Sequence, residues 1–257
     1  MPRLSRKNIQ SNYLHIIVQG IDRKFIFNNS KLKQTYKNLL KKYILETNIE
    51  ILAYCIMDNH VHILVYGEKI DEISKLMQRI NTSYAKFYNS INKRVGFVFR
   101  DRYYSQPILS KNQLFNCLVY IHNNPVKAKM VKKMEDYPYS SYLEYYGEKD
   151  LISNKSIKLI FDSYENYIKQ FNLIHKNYDI EDIIEVIDNY KSSEEIIREF
   201  INNNNKKLEE IKNEEELFGS LLIKLRHEGG SSLREMAKIF NINKDKLAKI
   251  INRKLKD

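Results

Sequence analysis

The chain has 257 residues, more than a usual single domain, and at 43% hydrophobic and 12% aromatic it carries enough apolar material to argue against wholesale disorder. Its formal net charge of +11 favours a polyanionic partner, and the excess is local: residues 1–150 hold 24 Lys and Arg against 13 Asp and Glu, while residues 151–257 hold 19 of each. Two cysteines, Cys55 and Cys117, supply neither a disulfide framework nor a Cys-based zinc spacing. The segment Met1 to Lys7 has no apolar signal core, and no stretch approaches the roughly 18 apolar residues of a membrane span, so a cytoplasmic protein with no membrane partner is expected.

Leu14 to Val18 reads as a buried strand ended by Gly20, and Ser30 to Leu45 as a helix with a serine at its start. Ile49 to Met57 and Val61 to Tyr66 are β-branched runs separated by Asp58-Asn59, which predicts a hairpin. Asp71 to Asn89 places Ile73, Leu76, Met77, Ile80, Tyr84 and Phe87 on one helical face. An aromatic and basic passage, Phe97 to Tyr104, leads to a strand near 105–109 and a helix from about Ser110 to His122, which Asn124-Pro125 should end. For residues 1–146 this predicts an α+β architecture, one antiparallel sheet with helices packed on it.

From about Ser153 the composition turns to Asn, Lys, Glu and Ile at helical spacing, which predicts a helical connecting region over 147–218 with a loop at Asn202–Asn205. Residues 219–257 hold two short helical patterns around Asn241-Ile-Asn243, with Ala237 at the close approach, and look like a helix-turn-helix or a helical packing module.

Residues i and i+2 of a strand share a face, so His60-Val-His62 offers two imidazoles side by side, as a metal site requires. Taken alone the tripeptide is equally a pair of ordinary strand histidines. Its surroundings add a resemblance. Met57 to Leu64 (MDNHVHIL) resembles the histidine–hydrophobe–histidine motif of the HUH single-tyrosine transposases. Leu76 to Asn89, Gly96 to Tyr103 (GFVFRDRY), Tyr120 to Ala128 (YIHNNPVKA) and Tyr137 to Ser141 (YPYSS) are similar, in order and spacing, to the REP-associated tyrosine transposases. The resemblance covers about residues 1–146 and implies a ferredoxin-like HUH domain.

It further implies that Tyr120 is the nucleophile on a DNA phosphodiester, and that His60, His62 and Asn124, one helical turn after the tyrosine, hold a divalent metal, manganese or magnesium. The implied partner is single-stranded or hairpin DNA, with Arg3, Arg6, Lys7, Arg100, Arg102, Tyr103 and Lys127 as candidate contacts and duplex DNA a further partner of the C-terminal module. Monomer and homodimer both remain open. Tyr103 and Tyr104, in a basic aromatic passage, suit either base stacking or packing. His122 lies on another helical face from Tyr120 and reads as a flanking or DNA-contacting group; His15 reads as core. Where the family commonly has proline, arginine and tryptophan, this chain has Asp58, Gln19 and Tyr139. The intact Tyr120 and histidine pair favour a transesterase over a domesticated, non-cleaving DNA-binding regulator, and six histidines in all leave little for a metal hydrolase.

Overall fold

Strand β1 (Tyr13–Gln19) is a run of apolar and β-branched side chains, all but its end residues buried. The computed structural model describes residues 11–100, 102–147, 149–161, 163–176, 193–227, 231 and 233–254. After β1 come α1 (Ser30–Ile44), β2 (Glu50–Ile56), β3 (His60–Tyr66), α2 (Ile70–Ile91), β4 (Tyr104–Pro107) and α3 (Lys111–Lys127). The strands form one antiparallel sheet in the order β2-β3-β1-β4. The expected strand, helix and hairpin order of this region is therefore present. Asn29, not Ser30, caps α1, its side chain accepting from Leu32 N at 3.0 Å.

Register fixes which side chains share a face. Ile17 lies opposite His62 and Gln19 opposite His60, with Cys55 of β2 on the other side of His62. The neighbouring Tyr54 points to the opposite face, where Lys37 of α1 lies 5.4 Å from its ring centroid. Helix α1 packs with α2 around Phe27, Tyr36 and Tyr84, and α3 crosses β2 and β3. Residues 139–141 run along the outer side of β2, with Ile56 N donating to Tyr139 O (2.9 Å) and Ser141 N to Tyr54 O (2.9 Å), so that edge is not left open.

Three features depart from expectation. Pro125 does not end α3, which runs on to Lys127. A proline deletes one backbone donor, but here only two residues follow, and the end is closed by Lys129 at φ 56° with Lys129 N on Val126 O and Met130 N on Pro125 O, each 2.9 Å. The stretch Asn202–Asn205 is not all loop: α6 (Ser193–Asn204) includes three of the asparagines, and Asn205, at φ 50°, supplies the left-handed stop.

The third departure is the boundary. The described residues divide into two compact units, 11–176 and 193–254. Helices α4 (Asn154–Phe161) and α5 (Tyr167–Lys176) belong to the first, and Leu151, Ile152, Ile157, Ile160, Phe161 and Phe171 are buried in the same core as the sheet. The composition change near Ser153 thus marks no break in packing. The second unit is all helical: α6, α7 (Leu208–Asn213), α8 (Glu215–His227), α9 (Leu233–Phe240) and α10 (Lys244–Lys254) enclose a core of residues such as Phe218, Leu222, Met236, Phe240 and Leu247. Between α9 and α10, Asn241 takes φ 53° and Asn243 Oδ1 accepts from Asp245 N at 2.8 Å.

Gly20, just past β1, is required by a close approach: a Cβ there would stand 2.5 Å from Lys24 O. Gly20→Ala should cost about 1–3 kcal/mol through this overpacking, read as a lower thermal midpoint with unchanged secondary structure.

Candidate active site

His60 and His62 begin β3 and project toward α3, their rings 4.7 Å apart between centroids and nearly perpendicular. His60 Nδ1 lies 2.6 Å from Asn59 Oδ1, and an oxygen can only accept, so Nδ1 carries the proton and Nε2 keeps a lone pair. His62 Nδ1 lies 3.0 Å from His15 Nε2, the two rings stacked at 5.2 Å. With His62 Nδ1–H donating to His15, the lone pair of His62 Nε2 is likewise left over. That atom is buried and makes no hydrogen bond to a described residue.

Tyr120, in the middle of α3, sets its ring edge-on to His62 at 5.4 Å and to His15 at 5.9 Å between centroids. One turn on, Asn124 is buried and its Nδ2 donates to Tyr120 O at 2.9 Å, which identifies the remaining amide atom as an oxygen. Burial first, and then the neighbouring histidines, hold His62 well below its ordinary pKa of 6.5 and His15 down to about 3, so both are neutral near pH 7. Neutral imidazole is the form that binds a metal. Two buried lone pairs with their opposite ring nitrogens anchored fit a divalent ion of borderline character, and Asn124, one turn after Tyr120, is the amide that the resemblance adds to the set. Among the described residues no three His, Cys, Asp or Glu side chains form a metal cluster; the set in question has two histidines and an amide.

The other expected residues fall in different places. Arg3, Arg6 and Lys7 lie outside the described residues. Arg100 donates its backbone N–H to Gln19 O (2.9 Å), opposite His60 in the register, while Arg102 and Lys127 are exposed. Tyr103 departs from the stacking expectation: it is 6% exposed, with its hydroxyl 3.0 Å from Ser74 Oγ on α2. His122 departs from the DNA-contacting one. It is fully buried between His175 of α5 (Nδ1 to Nε2, 3.0 Å) and Ser141 (Nε2 to Oγ, 2.8 Å). Sequence reading missed Asn59 and the part of His15 in orienting the pair; adjacency to His60 and the shared strand face were the available signals.

Burial likewise holds His122 below 6.5 and His175 at about 4. The unfolded chain takes up protons near 6.5 while these imidazoles stay neutral in the fold, so the unfolded state binds more protons and stability falls as pH drops from 6.5 toward 4. The loss is roughly 1.4 kcal/mol per group per pH unit. Thermal midpoints measured at successive pH values through that window should fall steadily, and a flat profile would contradict the buried neutral assignment.

Paired strand histidines packed against a helix-borne tyrosine are the arrangement that the resemblance to the HUH single-tyrosine transposases leads one to expect. Residues 8–124 match the family described as "Transposase IS200 like". A Haemophilus influenzae protein named as a REP-associated tyrosine transposase is 28% identical over 123 residues, covering 44% of this chain and 68% of that one. A solved REP-associated tyrosine transposase bound to a REP hairpin shares the fold, with a TM-score of 0.50 and 18% identity over 71% of this chain and 95% of that one. No described helix is long and apolar enough to cross a membrane.

Proposed function

We propose that this chain cuts and rejoins single-stranded, hairpin-forming DNA through Tyr120. The tyrosine oxygen attacks a phosphodiester phosphorus, a P–O bond forms, and the bond from phosphorus to the 3′ oxygen breaks. The phenolic proton leaves Tyr120 and the departing 3′ oxygen takes up a proton. The strand is left with a 3′ hydroxyl and its 5′ phosphate on the tyrosine. A second 3′ hydroxyl attacking the same phosphorus reverses these bonds and joins two strands, so no nucleotide cofactor is consumed.

The observation that carries this reading is the edge-on seating of Tyr120 against His62, whose Nε2 is buried with its lone pair to spare. His60, His62 and Asn124 would hold manganese or magnesium, which when bound would polarise the scissile phosphate toward attack by the phenol, a weak nucleophile at neutral pH. His15 and Asn59 keep the two imidazoles in the required tautomers. Asn124, whose Nδ2 donates to the Tyr120 carbonyl one turn back, would offer its amide oxygen to the same centre.

Arg100, Arg102 and Lys127, with Arg3, Arg6 and Lys7, would contact phosphates, and the turn between α9 and α10 would serve as a helix-turn-helix on a hairpin stem or duplex. Purified protein and labelled hairpin DNA, with manganese, with magnesium or with chelator, test the reading on a denaturing gel. A nick and a slow-migrating adduct in metal alone are expected. Binding without either product across a panel of hairpins would instead favour a non-cleaving regulator.

A further inference from the structure

The turn that presents His60 is held by an ion pair that the proposed chemistry does not use. Asp58 and Asn59 form a two-residue connection between β2 and β3, with Ile56 opposite Val61 and Met57 N donating to His60 O at 2.9 Å. Two-residue hairpin loops match the twist of their strands best when positive φ angles occur within them. Neither Asp58 nor Asn59 is among the residues at positive φ, so the connection depends on contacts from outside the hairpin. They come from the end of β1 and the start of α1. Gly20 N donates to Asn59 O (2.9 Å), Phe27 N donates to Asp58 O (2.8 Å), and Lys33 of α1 places Nζ 2.5 Å from Asp58 Oδ1.

Lys33 is the unusual member. Its side chain is only 8% exposed, against 39% for that of Asp58, and its Nζ also lies over the Tyr139 ring, 5.5 Å from the centroid. An ammonium this deep is costly to desolvate unless it is paired, and among the described residues Asp58 is the carboxylate that pairs with it. The pair pins the Asp58 side chain while Phe27 pins its carbonyl, which leaves the next residue, Asn59, little freedom. Asn59 Oδ1 is the atom 2.6 Å from His60 Nδ1, and it selects the tautomer that keeps Nε2 as an acceptor. Asp58 and Tyr139 are also two positions at which this chain departs from the family it resembles, so the contacts of Lys33 to both belong to this chain and not to the common pattern.

We infer that Lys33 and Asp58 are a positioning pair for the metal centre: the buried ion pair fixes the turn, the turn fixes Asn59, and Asn59 holds the His60 ring in the form that can ligate. The inference rests on His60 as a metal ligand of the proposed reaction. It is tested on the full chain, first without metal, by NMR of the imidazole nitrogens, and then by titration with manganese followed through the electron paramagnetic resonance signal of the free ion. Wild type should show His60 protonated at Nδ1. Lys33→Met, which leaves Asp58 able to turn to solvent, should mix the two His60 tautomers and weaken manganese binding about tenfold, the lower end of what loss of an outer-shell partner costs. Lys33→Met/Asp58→Asn should match the single variant, because both changes remove the same contact. Leu40→Ala, in the core on the same helix, is the control for lost stability alone: it should lower the thermal midpoint and leave the tautomer unchanged and manganese affinity within about twofold. A wild-type His60 protonated at Nε2, an unchanged tautomer or manganese affinity in Lys33→Met, or an equal loss in Leu40→Ala overturns the positioning pair and leaves the metal reading intact. A wild type that binds no manganese overturns the metal reading and the positioning pair with it.

Discussion

Tyr120→Phe should abolish the protein–DNA adduct and lower strand cleavage by at least about 10³-fold, while hairpin affinity stays within about twofold. The substitution removes one oxygen and keeps the ring that packs against His15 and His62, so the helix and the histidine pair should stay in place. Among the described residues, the two tyrosines of the nearby basic passage are placed otherwise. Tyr103 is buried with its hydroxyl against Ser74, and Tyr104 opens β4 opposite Ile17. Retained cleavage in this variant, with metal present, would remove the phenol from the chemistry. Parallel loss of binding and cleavage would instead assign Tyr120 to substrate affinity.

Glu144→Ala should produce the largest loss of stability of any single change considered, about 3–5 kcal/mol, or on the order of 10 °C in thermal midpoint for a unit of this size. Glu144 is buried, and one carboxylate oxygen accepts three backbone N–H groups, from Asp150 (3.1 Å), Leu151 (2.7 Å) and Ile152 (3.0 Å). The other oxygen accepts the Tyr54 hydroxyl and lies 3.4 Å from Lys37 Nζ of α1. Alanine would leave the three backbone N–H groups and the Tyr54 hydroxyl without this acceptor, each costing roughly 1–3 kcal/mol before relaxation, while Lys37 keeps Asp150 at 3.0 Å. Glu144→Gln keeps the shape and one acceptor oxygen and should recover part of the loss. Chemical denaturation of the three proteins measures the difference. Equal stability of wild type and the alanine variant would show that solvent reaches the 150–152 backbone.

That carboxylate also explains why the first unit's extent was hidden in the sequence. Residues 1–146 announce themselves by alternation and helical spacing, and β1, α1, the hairpin and α2 fall where hydrophobic period and turn chemistry place them. Glu144 and the segment it organises carry no periodic signal. Isoleucine-rich helices such as α4 read the same whether they link two bodies or pack on β2, because burial of one face by a distant strand is a tertiary fact. Pro125 misled for a related reason: proline rules describe helix interiors, and near a terminus its missing donor costs little.

The site was legible in part. His60, His62 and Tyr120 were recognisable because a strand's two-residue period and a family resemblance fixed their types and order, and the fold brings the three rings together. His15 and Asn59 were not, since their contribution is to hold ring nitrogens of other residues, which only the register β1 to β3 and the turn geometry reveal. The burial of Tyr103 was equally out of reach: an aromatic in a basic passage has the same local sequence whether it faces solvent or α2.

The most direct test of the account is the identity of the residue that carries DNA. Adduct formed in metal by the wild-type chain, digested with nuclease and protease and mapped by mass spectrometry, should yield a nucleotide phosphate on the peptide containing Tyr120, attached at that residue. The same modification on Tyr103, Tyr104 or any other side chain would contradict the assignment of the nucleophile and with it the role given to the histidine pair.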